Sequence, residues 1–75
     1  MKRTPFEMKI FNHLVQLLMA ERTASMIGDA DAVQLKRKEY EGFTDALKMC
    51  LSERLCAELT RAAIEEVNRD ARPDE

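Results

Sequence analysis

The chain has 75 residues, 35% charged and 45% apolar, with no tryptophan and a formal net charge of -2. A domain of about 60 residues buries only roughly 60% of its unfolded surface, so one this small often leans on a disulfide, a metal or a second subunit. The acidic balance disfavours nucleic acid as the main partner, because that binding begins with a positive field, and no run approaches the ~18 apolar residues of a membrane span.

The first element is announced by Thr4-Pro5-Phe6-Glu7, an N-cap threonine with proline at the first helical position and glutamate three residues after the cap. Residues 1–4 form the cap, and the helix is expected over residues 5–27, ended by Gly28. Gly28-Asp29-Ala30-Asp31 reads as the turn over 28–31. Asp31 with Gln34 repeats the capping pattern and opens a second helix over 32–69, followed by a polar tail over 70–75 that contains Pro73. Gly42 is the weak point of that long helix, at a cost of about 1 kcal/mol against alanine. Within residues 5–69 the expected fold is all-α, a single helical hairpin whose long second helix is expected to continue through Gly42, flanked there by good helix formers, with a kink at the glycine as the alternative.

Helix one carries two apolar stripes. One holds Phe6, Ile10, Phe11, Leu14, Leu17, Leu18 and Ala24; the other holds Met8, Val15, Met19 and Met26. Two stripes imply two neighbours. Helix two repeats an apolar residue every four positions, from Phe43 through Leu47, Leu51, Leu55, Leu59 and Ala63 to Val67. At 38 residues it would overshoot its partner by about 20 Å, leaving Leu55, Leu59, Ala62, Ala63, Ile64 and Val67 uncovered. A homodimer resembling a four-helix bundle covers both surpluses. A three-helix monomer broken at Gly42 competes, but its middle helix, Asp31 to Glu41, has a thin core face.

The interface residues expected for a second copy or a partner are therefore Met8, Val15, Met19, Met26, Leu55, Leu59 and Ile64. Methionine suits such a surface because it is flexible and polarizable, although filling gaps in a core is its commoner use. Glu21 and Arg54 fall within apolar arcs and are expected either to reach the edge of the core or to pair between subunits. Arg37 with Glu41, Arg61 with Glu65 and Glu65 with Arg69 are spaced for ion pairs along one helix.

The catalytic and metal-binding signals are empty. His13 is the single histidine, on a polar arc, with no second ligand at metal spacing and no nucleophile beside it. No glycine-rich turn offers a phosphate cradle, so no cofactor is expected. On one helix Cys50 and Cys56 would lie about 120° apart, too divergent to bridge. They read as small buried hydrophobes of a reducing compartment, with an intersubunit disulfide as the less favoured use. Lys36-Arg37-Lys38 is the densest basic run, either ordinary helix-surface charge or a contact for nucleic acid or an acidic protein. Charges at Glu7 and Lys9 interrupt any signal peptide, and a soluble, cytoplasmic protein is expected.

The hairpin with the turn Gly28-Asp29-Ala30-Asp31 resembles the Rop-type plasmid regulators, dimeric RNA-binding hairpins. The second helix expected here is longer than in that pattern, and no motif aligns to carry RNA-contact residues over. The stretch Leu35 to Leu47 is similar to small helical-hairpin proteins of tailed phages, which implies a virion component or a host-directed inhibitor in the host cytoplasm. The expected function is non-catalytic: a dimeric helical module that binds and modulates or scaffolds another protein. A nucleic-acid-binding regulator and a structural subunit of a larger particle are the competing expectations.

Overall fold

The computed structural model describes residues 3–71. Three α-helices follow in order, α1 Pro5–Met26, α2 Ala30–Cys50 and α3 Glu53–Ala71. Among the described residues there is no strand, and no helix is long and apolar enough to cross a membrane.

The start of α1 is the expected capping box. The Thr4 hydroxyl accepts from the Glu7 backbone N–H, and the Glu7 carboxylate accepts from the Thr4 N–H, each at 3.1 Å. Its end is a Schellman motif. The Asp29 N–H reaches back to the Ala24 carbonyl at 3.0 Å and the Gly28 N–H to the Ser25 carbonyl at 3.1 Å. Gly28 takes φ +79°, a left-handed conformation that costs other residues about 1–2 kcal/mol. The second cap is Asp29 and not Asp31: the Asp29 carboxylate accepts from the Ala32 N–H at 3.1 Å. One residue thus closes α1 and opens α2, which leaves a turn shorter than 28–31.

The long second helix is where the structure departs most from expectation. Helix runs unbroken through Gly42 and stops at Cys50, with Leu51 in extended conformation (φ -122°, ψ 162°). Ser52 then opens α3, its hydroxyl accepting from the Leu55 N–H at 3.1 Å and its carbonyl from the Cys56 N–H at 3.0 Å. The chain therefore turns a corner at Leu51–Ser52, and the expected hairpin is a three-helix fold. There is no overshoot. At the far end, α3 extends through Ala71, past the expected limit of 69. The rest of the expected polar tail, with Pro73, lies outside the described residues.

The corner explains the apolar row. Its α2 part, Phe43 and Leu47, and its α3 part, Leu55, Leu59, Ala63 and Val67, are buried or half-buried on either side of the bend. Ile10, Leu14, Leu47, Cys56, Leu59 and Ala63 form the core, with Phe11, Val15, Leu18, Tyr40, Phe43, Leu51 and Leu55 packed around it. Leu14 and Leu59 are sealed at 0% and 1% exposure. Helix α1 packs against both α2 and α3, which scarcely touch each other. The chain's own helices thus supply two neighbours for α1, which cover the middle of both stripes and leave Phe6, Met8 and Met26 exposed at the ends. The result is flat, with principal extents of 35 × 31 × 17 Å.

Side-chain contacts between helices establish which side of α1 faces which neighbour. On the α2 side, the His13 ring meets Phe43 edge-on at 4.5 Å, and Arg37 pairs with Glu21 at 2.9 Å. On the α3 side, Arg22 donates to the Val67 carbonyl at 3.1 Å. Glu21 is therefore matched within the chain. Arg54 lies outside the core at 89% side-chain exposure, 3.5 Å from Glu58. The helix pairs expected at Arg37–Glu41, Arg61–Glu65 and Glu65–Arg69 are replaced by Arg37–Glu21, Lys36–Glu39, Arg54–Glu58 and Arg69–Glu66. These pairs are exposed, where each is worth only a fraction of a kcal/mol.

Candidate functional site

Because α2 and α3 both lean on α1 and not on each other, a cleft runs between them. Its wall on α2 consists of Val33, Arg37, Tyr40, Thr44, Leu47 and Lys48. Its wall on α3 includes Glu53, Ala57, Thr60, Arg61, Ile64 and Asn68. Apart from the adjacent pairs Leu47–Lys48 and Thr60–Arg61, each set recurs at three- and four-residue steps, so each is a single helix face. Leu18, Glu21, Arg22 and Ser25 of α1 line the end away from the corner. The cleft has two lobes, about 850 Å³ beside the corner and about 490 Å³ beyond it, and Ile64 lines both. From Glu53 to Asn68 the α3 wall is about 22 Å long at the standard helical rise.

The surface is mixed, with an apolar centre. Leu47 and Cys56 are core residues that reach the cleft from below, whereas Ala57 and Ile64 belong to the core of neither helix pair and are exposed. Thr44 satisfies its hydroxyl within α2, donating to the Glu41 carbonyl at 3.0 Å. The Tyr40 hydroxyl is buried and makes no hydrogen bond. Burial pushes its pKa above the ordinary 10.0. The side chain of Thr60 pulls it back in part, and the negative charge of Glu21 raises it further. A neutral phenol held out of water suits an apolar cleft.

The expected interface residues scatter. Leu59 is sealed in the chain's own core, and Leu55, Val15 and Met19 are half-buried, the first two packed against that core. The assignment of Leu59 to an outside surface is corrected by the corner, which folds α3 back onto α1, whereas Leu55, Val15 and Met19 keep part of their surface open. Met8, Met26 and Ile64 remain exposed, and of these Met26 and Ile64 line the cleft. Sequence reasoning missed Tyr40, Thr44, Ala57 and Thr60 as wall residues. Their helical spacing is visible in the sequence, but only the corner turns the two faces toward one another.

In the basic run, Lys36 lies 3.5 Å from Glu39 and Arg37 is bound to Glu21. Lys38 is exposed and has no ion pair among the described residues. The cysteines divide: Cys56 is buried as expected, and Cys50, at the corner, is exposed. Among the described residues no three His, Cys, Asp or Glu side chains are grouped to hold a metal ion.

The reading of the cleft rests on this chain's own geometry, because no family model, no curated protein and no solved structure matches the sequence.

Proposed function

We propose that this protein is a non-catalytic interaction module that receives a segment of another protein in the cleft between α2 and α3, and thereby modulates or scaffolds it. The observation that carries the reading is the pair of helix faces, joined through Ile64 and floored by α1, left facing one another almost without contact. Two facing walls that run for several turns are what helix-in-groove recognition uses. Binding there fills the vacant corner of a four-helix bundle.

Ile64→Glu tests this. The side chain is 42% exposed, so the substitution leaves the fold intact while placing a charge at the junction of the lobes. Capture from the native host by the wild-type chain is expected to yield a partner that the variant fails to retain. Identical capture by both proteins, with unchanged circular dichroism, overturns the reading.

A homodimer is the second reading. The surplus on α1 that argued for it is covered only at its middle, Val15 and Met19, so its support now comes from exposed apolar residues towards the ends of helices, Met8 and Met26 among them. Phe6 and Met49, at 60% and 87% exposure, both lie at the corner end of the fold. A structural role in a larger particle draws on the same residues, with cleft and corner contacting different chains. Sedimentation at micromolar concentration, wild type against Met49→Lys, tests self-association through that end. A nucleic-acid role has less support, since two of the three residues in the basic run are already matched by carboxylates.

A further inference from the structure

We infer that the occupant of the cleft is an acidic amphipathic helix of a different protein, about four turns long. This inference rests on the docking reading and specifies its partner. The sign of the charge comes from the cleft itself. Five cations line it, Arg22, Arg37, Lys48, Arg54 and Arg61, against three carboxylates, although the whole chain carries -2. Internal pairing does not change the sign. Glu21 matches Arg37 and Glu58 matches Arg54, which leaves Arg22, Lys48 and Arg61 against Glu53 and Glu65.

The cations also stand where a docked helix needs partners. Lys48 on α2 and Arg61 on α3 are exposed, carry no ion pair among the described residues, and flank the apolar centre from opposite walls. A helix lying along the cleft meets Tyr40, Ala57 and Ile64 with its apolar stripe and places Asp or Glu on both flanks of that stripe. A wall of about 22 Å accommodates roughly 15 helical residues. The same charge argument disfavours a second copy packed cleft to cleft. Two-fold symmetry would set one net-cationic surface against its duplicate.

The test is a selection from a displayed library of 16-residue amphipathic helices, with the flanking positions free to be acidic, neutral or basic, against the full chain at low salt. Enriched peptides are expected to be acidic on both flanks and to lose binding to Ile64→Glu. They should bind about tenfold more weakly to the Lys48→Glu/Arg61→Glu double variant, the equivalent of about 1.4 kcal/mol. Enriched peptides that depend on Ile64 but are neutral or basic overturn the acidic assignment and leave the docking reading standing. Absence of any peptide whose binding depends on Ile64 overturns both. A wild-type dimer in sedimentation that Ile64→Glu abolishes, and that selected peptides fail to dissociate, makes a second copy the occupant and also overturns the inference.

Discussion

Tyr40 is the residue in which the chemistry of the cleft is most concentrated. Its hydroxyl is removed from water without a hydrogen-bond partner, and a buried unsatisfied hydroxyl typically costs about 1–3 kcal/mol. Tyr40→Phe is therefore expected to be at least as stable as the wild type at neutral pH. The alkaline limb provides the sharper measurement. The folded phenol is raised above 10.0, chiefly by burial, so below that pH both states hold the proton and stability does not depend on it. As pH rises past 10, the unfolded chain ionises first, binds fewer protons than the folded one, and stability falls until the folded phenol titrates as well. Because the chain has a single tyrosine, Tyr40→Phe is expected to flatten that part of the decline, read as the difference between the two proteins' urea midpoints from pH ~9 to ~11. Parallel declines would show that the phenol is free to ionise in the fold.

At the scale of elements, glycine shows what sequence reading resolves and what it does not. Gly28 and Gly42 are both legible as weak points, and they do opposite things. Gly28 ends α1 because the Schellman turn needs a positive φ; Gly42 lies inside α2, and a Cβ built there meets nothing within 4 Å. Gly28→Ala is expected to cost about 1–2 kcal/mol, whereas Gly42→Ala is expected to stabilise by about 0.4–1 kcal/mol. Chemical denaturation of the two variants checks both signs, and stabilisation by Gly28→Ala would contradict the turn described here. The first helix is legible almost to the residue because Thr4, Pro5, Glu7 and Gly28 each carry a local rule. The corner is hidden because Ser52 has Leu55, not Glu or Gln, three positions on, so the capping-box pattern is half present. Good helix formers also flank it on both sides. Gly42, costly in isolation, is absorbed by α2 as expected, and the break falls instead at Leu51–Ser52, where neither glycine nor proline marks it.

The whole molecule raises the question of which force holds α3 back against α1, since a continuous helix through Leu51–Ser52 would satisfy local propensity. The cap at Ser52 is one contribution: replacing such a serine with alanine costs typically about 1 kcal/mol. Packing is the other. Leu59 and Ala63 are sealed against the α1 face at 1% and 0% exposure, and truncating a buried leucine costs about 2–5 kcal/mol. Packing between α1 and α3 thus outweighs the cap, and the corner is a consequence of tertiary contacts that Ser52 merely accommodates. This is also why it escapes a reading based on local signals, and why the cleft escapes with it, because neither wall exists until α3 folds back. Leu59→Ala is accordingly expected to lower stability at least twice as much as Ser52→Ala in urea titrations, with both variants unfolding in one transition. If Ser52→Ala proves the more damaging, or leaves a stable species in which α2 and α3 form one long helix and two chains exchange their third helices, the cap and not the core sets the bend.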